Sequence, residues 1–135
     1  MRVILDTNVL MSAIFFGGIP GEILAATKTG RISLVLSPAI LEEYHEVAKR
    51  LSLRFHVEYA DILEWITVRS EMIADTSMET PICNDPDDEK FIAAALASKT
   101  KIICSGDKHL LDINGHEGLV VLKPKPFSDQ YLKTK

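Results

Sequence analysis

The sequence predicts an α/β domain with a central parallel sheet of four or five strands between two helical layers, a three-layer α/β/α sandwich. Short β-forming apolar segments alternate with helical segments from end to end, a pattern typical of a parallel sheet covered on both faces. At 135 residues, 47% of them apolar, the chain has the length for one hydrophobic core. We therefore expect a single domain over residues 1–122, followed by a basic C-terminal tail over residues 123–135.

The first half of the chain is predicted to contain two strands and four helices. Gly17 and Gly18 end the first helical segment and Gly30 ends the second, because glycine commonly follows a helix. Ser37 is a good N-cap before Pro38, whose missing N–H is no loss in the first helical turn. The predicted elements are a strand over 2–5, helices over 9–16 and 20–28, a strand over 32–36, and helices over 38–51 and 57–74.

The second half is predicted to contain one long helix, one short helix and two strands. Asp85 and Pro86 repeat the cap and first-turn pair at the start of the long helix. Gly106 permits a sharp turn after the third strand. The predicted elements are an irregular segment over 76–83, a helix over 87–98, a strand over 101–104, a helix over 108–112 and a strand over 119–122. From Lys123 onward the chain has two prolines and four lysines, and we expect this tail to be loosely attached.

Three glutamates on the 38–51 helix can be sorted by the helix face on which they lie. The apolar stripe of this helix consists of Ile40, Leu41, Tyr44, Val47, Ala48 and Leu51. At about 100° per residue, Glu42 and Glu46 point away from the stripe, whereas Glu43 lies at its border. Glu43 is therefore the glutamate that can face inward.

Asp88 lies near the centre of the apolar stripe of the 87–98 helix. That stripe consists of Phe91, Ile92 and Ala95, which follow Asp88 by three, four and seven residues. Its neighbours Asp87 and Glu89 point to either side, and we expect both to be solvated first-turn acids that favour the helix dipole. An acid aimed at a core requires a partner or a function.

Two further acids follow predicted strands. Asp6 comes at the end of the first strand, and Asp107 follows the third strand through a turn. Carboxyl ends of parallel strands meet at the edge of the sheet where ligands bind, and Glu43 and Asp88 project from helices packed nearby. Carboxylates gathered there would raise one another's pKa unless a cation neutralised them. Oxygen ligands favour Mg²⁺ or Mn²⁺, and the lack of a Cys/His cluster in the sequence argues against zinc.

The formal net charge of −4 is unusual for a nucleic-acid-binding protein, which normally has a basic surface. If four of the 19 acidic residues belong to one metal site, the 15 that remain balance the 15 Lys and Arg. The net negative charge of the protein would then come from the metal site, and the rest of the chain would be neutral. Candidate RNA contacts are Lys49, Arg50, Arg54 and the lysines of the tail, although each also suits ordinary solvated surface.

Cysteine content and hydropathy point to the cytoplasm. Cys83 and Cys104 lack the spacing of a metal site, so we expect reduced, buried thiols. No apolar run approaches the roughly 18 to 20 residues that span a bilayer. Asp6 also interrupts the N-terminal apolar stretch before it forms a signal-peptide core. We expect no membrane partner.

Four motifs occur in an order and spacing that together indicate a known family. They are Val3-Ile4-Leu5-Asp6-Thr7-Asn8, Ser37 followed six residues later by Glu43-Tyr44, Asp85-Pro86-Asp87-Asp88 leading into Phe91-Ile92-Ala93-Ala94-Ala95, and Ile103-Cys104-Ser105-Gly106-Asp107-Lys108 with Leu110-Leu111. The chain thereby resembles the PIN-domain nucleases, in particular the VapC-like toxin ribonucleases of prokaryotic toxin–antitoxin pairs. The resemblance covers essentially the whole chain.

The resemblance implies a Mg²⁺- or Mn²⁺-dependent endoribonuclease with one or two ions. It places Asp6, Glu43, Asp88 and Asp107 in the acidic catalytic and metal site, with Thr7, Asn8 and Ser105 as polar supports. Asp6 and Asp107 are expected to bind metal directly, and either Glu43 or Asp88 to act through water or as proton acceptor. The run of acids at Asp85, Asp87 and Asp88 leaves the register of the third ligand open within the motif, and the helical-face argument selects Asp88.

Toxin relatives typically form homodimers and are held inactive by a small antitoxin protein, so the resemblance implies both partners besides RNA. Two other functions stay open. A doubly wound phosphotransferase or a receiver-type phospho-acceptor domain also uses a strand-end aspartate, but the former usually has a second aspartate where this chain has Asn8. The other is a PIN-like binding module with intact acids and no turnover.

Overall fold

A computed structural model describes residues 1–77 and 82–133. The strands of the described residues are β1 (Arg2–Leu5), β2 (Ser33–Leu36), β3 (Glu71–Met72), β4 (Ile102–Cys104) and β5 (Val120–Leu122). The α-helices are α1 (Thr7–Phe15), α2 (Gly18–Lys28), α3 (Pro38–Phe55), α4 (Ala60–Arg69), α5 (Glu89–Ser98), α6 (Lys108–Leu111) and α7 (Pro124–Phe127). Short 3₁₀ helices span Pro86–Asp88 and His116–Gly118, and a π-helical segment spans Ser128–Leu132.

The five strands form one parallel sheet in the order β3-β2-β1-β4-β5, which confirms the predicted α/β sandwich. The chain builds the sheet outward from β1 through β2 to β3 and then crosses to the other side of β1. The strand order therefore reverses between β1 and β4, the position at which open α/β sheets bind ligands. Leu5 is in register with Cys104, so Asp6 emerges beside Ser105.

The core lies between the central strands and the helices. Val3, Ile4 and Leu5 of β1 are almost fully buried, because a central parallel strand is covered on both faces. Ser37 caps α3 as predicted, accepting a hydrogen bond from the Ile40 N–H at 3.3 Å. Cys83 and Cys104 are both free and buried, which confirms the expectation from the sequence.

The turn between α1 and α2 depends on two glycines. Gly17 and Gly18 have φ angles of 79° and 63°, a region that favours glycine because it has no Cβ. The two helices consequently meet at 92°. No single helix in the described part of the chain is long and apolar enough to cross a membrane, and α1 with α2 meets that test only when both are counted across the bend.

The predicted helix over 57–74 is wrong at its C-terminal end. α4 stops at Arg69, and the chain then joins β2 as the short edge strand β3, with the Ile73 N–H donating to the Leu36 carbonyl at 2.8 Å. Glu71 pairs with Arg2 at the start of β1. A two-residue exposed edge strand has no apolar alternation, so pairing with β2 rather than local pattern decides its conformation.

The tail is not loosely attached. It folds into α7 and the π-helical segment, both of which pack on α2, and the side chains of Phe127 and Ser128 are buried. Arg31 donates to the Leu132 carbonyl at 2.8 Å. The division at residue 122 stays a prediction.

The irregular segment expected over 76–83 lies partly outside the described residues, which omit 78–81. The described residues of that segment are in neither helix nor strand.

Candidate active site

Asp6 is delivered to the C-terminal edge of the sheet by β1. Its backbone N–H continues the pairing of β1 with β4 by donating to the Cys104 carbonyl at 2.9 Å. Its side chain is only 5% exposed, and Oδ2 accepts a hydrogen bond from the Ser105 hydroxyl at 2.7 Å. The carboxylate is therefore hydrogen-bonded to the residue that follows the neighbouring strand and is shielded from solvent.

The environment of Asp6 disfavours its charged form. Burial is the largest cause and raises the pKa of this carboxyl. The hydrogen bonds from the Ser105 hydroxyl and the Thr7 N–H oppose that rise, and the nearby charges of Asp107 and Glu43 add to it. Asp6 thus lies within electrostatic reach of two of the other predicted site acids.

Asp107 is joined to Asp6 through a single hydroxyl. The fully buried Ser105 donates to Asp6 and accepts from the Asp107 N–H at 2.9 Å. Asp107 also caps α6, because its Oδ1 accepts from the His109 N–H at 2.7 Å. One carboxylate oxygen is therefore used structurally, and Oδ2 is left for other contacts.

Glu43 projects from the second turn of α3 towards the start of α1. Its Oε2 accepts a hydrogen bond from the Thr7 hydroxyl, and its Oε1 lies 2.7 Å from the Lys90 ammonium on α5. The side chain is about one-quarter exposed. The inward face predicted for Glu43 is therefore the face it presents to the other acids.

Asp88 ends the 3₁₀ helix that precedes α5, and its side chain is 7% exposed. Its Oδ2 is buried with no hydrogen-bond partner among the described residues. Burial, followed by the charges of Asp107, Asp6 and Asp85, raises the pKa of Asp88 to about 7. A buried carboxylate oxygen without a hydrogen-bond partner destabilises the folded protein, so we expect Asp88 Oδ2 to bind a proton or a cation.

The predicted polar supports fall into two groups. Thr7 and Ser105 are buried and donate to Glu43 and Asp6, respectively. Asn8 is exposed on α1 and makes no side-chain hydrogen bond to any described residue. The structure thus brings two of the three supports into contact with the acids.

The acids next to Asp88 have different roles. Asp87 is exposed, as expected for a first-turn acid. The expectation that Glu89 is also solvated is wrong, because its Oε1 accepts from the backbone N–H groups of Ile82 and Cys83 at 2.8 and 2.6 Å. Glu89 therefore fixes the loop before the site, a contact with a flanking segment that helical periodicity does not register.

Sequence reasoning missed two residues that position the site. The Tyr44 hydroxyl donates at 2.5 Å to the Leu5 carbonyl, directly before Asp6, and burial followed by the charges of Asp6 and Glu43 raises the pKa of Tyr44 well above its ordinary value. Tyr44 belongs to the apolar stripe of α3, and the need of a buried tyrosine hydroxyl for a hydrogen-bond partner is the signal in the sequence that points to this contact. Lys90, the cation beside Glu43, gave no comparable signal in the sequence.

The chemistry of the four carboxylates fits a hard divalent cation. All their donors are oxygens, and Asp88 Oδ2 has no partner in the described structure. Besides burial, the charges of Asp107 and Glu43 raise the pKa of Asp6, and those of Asp107 and Asp6 raise the pKa of Asp88. Within residues 1–77 and 82–133, no three Asp, Glu, His or Cys side chains are already arranged to hold one ion. Binding would therefore require the carboxylates to draw closer, which the cation's charge favours.

Comparison with known proteins identifies the family to which the part of the chain with these acids belongs. The family described as PIN domain matches residues 2–109, a span that includes all four acids. The chain belongs to the PIN-domain family. This PIN domain is also similar to the uncharacterized protein MJ1680 of Methanocaldococcus jannaschii, with 33% identity over 98% of this chain and 93% of the relative. PIN domains are generally nucleases, so the chain has a nuclease-type fold, and the predicted family is confirmed.

The raised pKa of Asp88 predicts a pH-dependent stability of the metal-free PIN domain. Between about pH 4 and pH 7 the folded protein binds a proton at Asp88 that the unfolded chain does not. The free energy of unfolding should therefore rise as pH falls from 8 to 5. We expect Asp88→Asn to remove about 1–2 kcal/mol of that rise and to be the more stable protein at pH 8. Urea unfolding in EDTA at pH 5 and pH 8 measures the free energy of unfolding of the wild type and of the variant.

Asp87→Asn is the matched control, because Asp87 is adjacent, exposed and of the same chemistry. It should keep the wild-type pH dependence. If Asp88→Asn and Asp87→Asn gave the same profile as the wild type, Asp88 would not be the titrating group.

Proposed function

We propose that this PIN domain is a Mg²⁺- or Mn²⁺-dependent ribonuclease that hydrolyses RNA phosphodiester bonds at Asp6, Glu43, Asp88 and Asp107. The observation that carries the proposal is the electrostatic coupling at the switch point of the sheet, where the charges of Asp107 and Glu43 act on Asp6 and those of Asp107 and Asp6 act on Asp88. The nuclease-type fold supports the same conclusion.

In this proposal some site residues bind the metal ions and others position those ligands. Bound ions would activate a water and stabilise charge on the phosphate. Asp6 and Asp107, linked through Ser105, would hold the ions from the sheet edge, and Glu43 and Asp88 would complete the site from the helices. Thr7 orients Glu43, which fixes one carboxylate oxygen towards α1.

The proposed RNA path leads from the acids along α3. Lys49, Arg50 and Arg54 are exposed on the C-terminal half of that helix. At a rise of about 1.5 Å per residue, Arg50 lies about 10 Å along the axis from Glu43. Positive charge at that distance suits the phosphates that flank a scissile bond.

We further propose that the chain is the toxin of a type II toxin–antitoxin system, acting as a cytoplasmic homodimer and restrained by a small antitoxin. Resemblance to VapC-like toxins supports this role. A short protein encoded directly upstream should bind the purified chain and suppress cleavage. If the neighbouring frames encode no such inhibitor, a housekeeping ribonuclease is the better assignment.

Metal removal is the direct test of the proposed chemistry. EDTA should lower the rate of cleavage of a fluorescent single-stranded RNA at least about 100-fold, because without a divalent ion the acidic site repels phosphate and activates no water. Excess Mn²⁺ or Mg²⁺ should restore the rate, whereas Ca²⁺ should restore it poorly because it prefers more ligands and a looser geometry.

Two results would contradict the proposal in different ways. Cleavage indifferent to EDTA would exclude a metal-dependent mechanism. Complete inactivity with every divalent ion, together with binding of the same RNA, would favour the catalytically silent PIN-like module. Transfer of phosphate from a small phosphodonor to the chain, seen by intact mass, would favour the phospho-acceptor function.

A further inference from the structure

Lys90 is a cation built into the acidic cluster. It lies in the first turn of α5, two residues after Asp88, and its ammonium is 2.7 Å from Glu43 Oε1 and 2.5 Å from the Asp87 carbonyl oxygen. The Lys90 and Glu43 side chains are 21% and 25% exposed. Of the ion pairs among the described residues, this is the one that involves a site acid.

Glu43 differs from the other site acids in the charge of its partner. Asp6 accepts from the Ser105 hydroxyl and Asp107 from a backbone N–H, and both of these donors are neutral. Glu43 has both oxygens engaged, one by the Thr7 hydroxyl and one by Lys90. The carboxylate best neutralised by the protein itself is therefore Glu43.

We propose that Lys90 is an internal counter-cation that holds Glu43 while no divalent ion is bound and that competes with the ion for this carboxylate. The inference rests on the proposed metal site and specifies how that site is controlled. An ammonium at hydrogen-bond distance offsets the repulsion among carboxylates, which stabilises the metal-free protein. The same charge repels an incoming divalent ion and occupies one of its candidate ligand atoms.

The proposal predicts opposite effects of removing Lys90 on stability and on metal affinity. Lys90→Met keeps an unbranched side chain, one atom shorter than that of lysine, and removes its charge. We expect this variant to bind Mn²⁺ about tenfold more tightly than the wild type and, in EDTA, to unfold at lower urea concentration. Lys90→Gln should also bind Mn²⁺ more tightly, and Lys90→Arg should stay within about twofold of the wild type.

The experiment is a Mn²⁺ titration of each metal-free protein at one pH and ionic strength, with free Mn²⁺ followed by electron paramagnetic resonance. Lys108→Met is the matched control. Lys108 is exposed next to Asp107 and makes no side-chain contact of its own among the described hydrogen bonds and ion pairs, so this variant makes the same charge change without touching Glu43. Its Mn²⁺ affinity should change less than about twofold.

Several results would overturn the proposal. They are unchanged or weaker Mn²⁺ binding by Lys90→Met and Lys90→Gln, equal tightening by Lys108→Met, or no Mn²⁺ binding by wild type and variants alike. Weaker RNA binding at unchanged Mn²⁺ affinity would instead make Lys90 a phosphate contact. Because the titration contains no RNA, tighter Mn²⁺ binding by the Lys90 variants would stand even if the protein cleaved no RNA.

Discussion

Asp6→Asn is expected to lower the rate of RNA cleavage at least about 100-fold while the protein keeps its fold. The amide has the shape of the carboxylate and still offers an oxygen to the Ser105 hydroxyl, which lies 2.7 Å from Asp6 Oδ2. It lacks the negative charge that a divalent cation requires. Initial rates of cleavage with Mn²⁺ and the circular dichroism of both proteins measure the two parts of this result.

Asp112→Asn is the control for this prediction, since Asp112 is an exposed acid at the end of α6. It should cleave RNA at the wild-type rate. Wild-type, metal-dependent cleavage by Asp6→Asn would remove Asp6 from the catalytic site. Loss of the folded spectrum would mean that the carboxylate is needed for folding, and Glu43→Gln, at the half-buried acid, would then test the site.

Phe127→Ala is expected to lower the free energy of unfolding by about 3–5 kcal/mol, as is typical when a fully buried aromatic ring is removed from a core. Phe127 is completely buried, and the centroid of its ring lies 5.3 Å from the centroid of the Tyr131 ring. The loss should appear as a lower urea midpoint with little change in slope. The C-terminal segment would then be part of the folded unit.

Phe16→Ala makes the same substitution at an exposed ring. Phe16 is 66% exposed and packs edge-to-face on Phe55, so we expect a cost of about 1 kcal/mol or less. Equal, small effects of both substitutions would show that the tail contributes little to stability. They would also favour the predicted division of the chain at residue 122.

Much of the site was predictable because its acids stand at positions with a local signature. Asp6 directly follows one β-forming run and Asp107 follows another through the turn at Ser105 and Gly106, and parallel strands place such ends together. Glu43 and Asp88 were distinguished from neighbouring acids by helical periodicity, which depends only on residues within a few turns. Whether these four residues catalyse a reaction stays a prediction.

Most of the contacts that the sequence did not predict join residues that are far apart in the chain. Lys90 meets Glu43 across 47 positions, and Arg31 meets Leu132 across 101. The expectation for Glu89 fails at shorter range, because helical periodicity does not register the loop N–H groups of Ile82 and Cys83, seven and six positions before it. None of these contacts leaves a period of two or 3.6 residues in the sequence.

By itself, the sequence determined the fold class, the position of Asp6 at the end of the first strand, and the inward faces that select Glu43 and Asp88. Local spacing is enough for these, because backbone geometry repeats over a few residues. Only the tertiary structure decided that the chain pairs as an edge strand after α4, that Phe127 anchors the tail, and that Lys90 neutralises Glu43. The reason is physical: burial and ion pairing depend on which distant segments meet, and that is settled only when the sheet has formed.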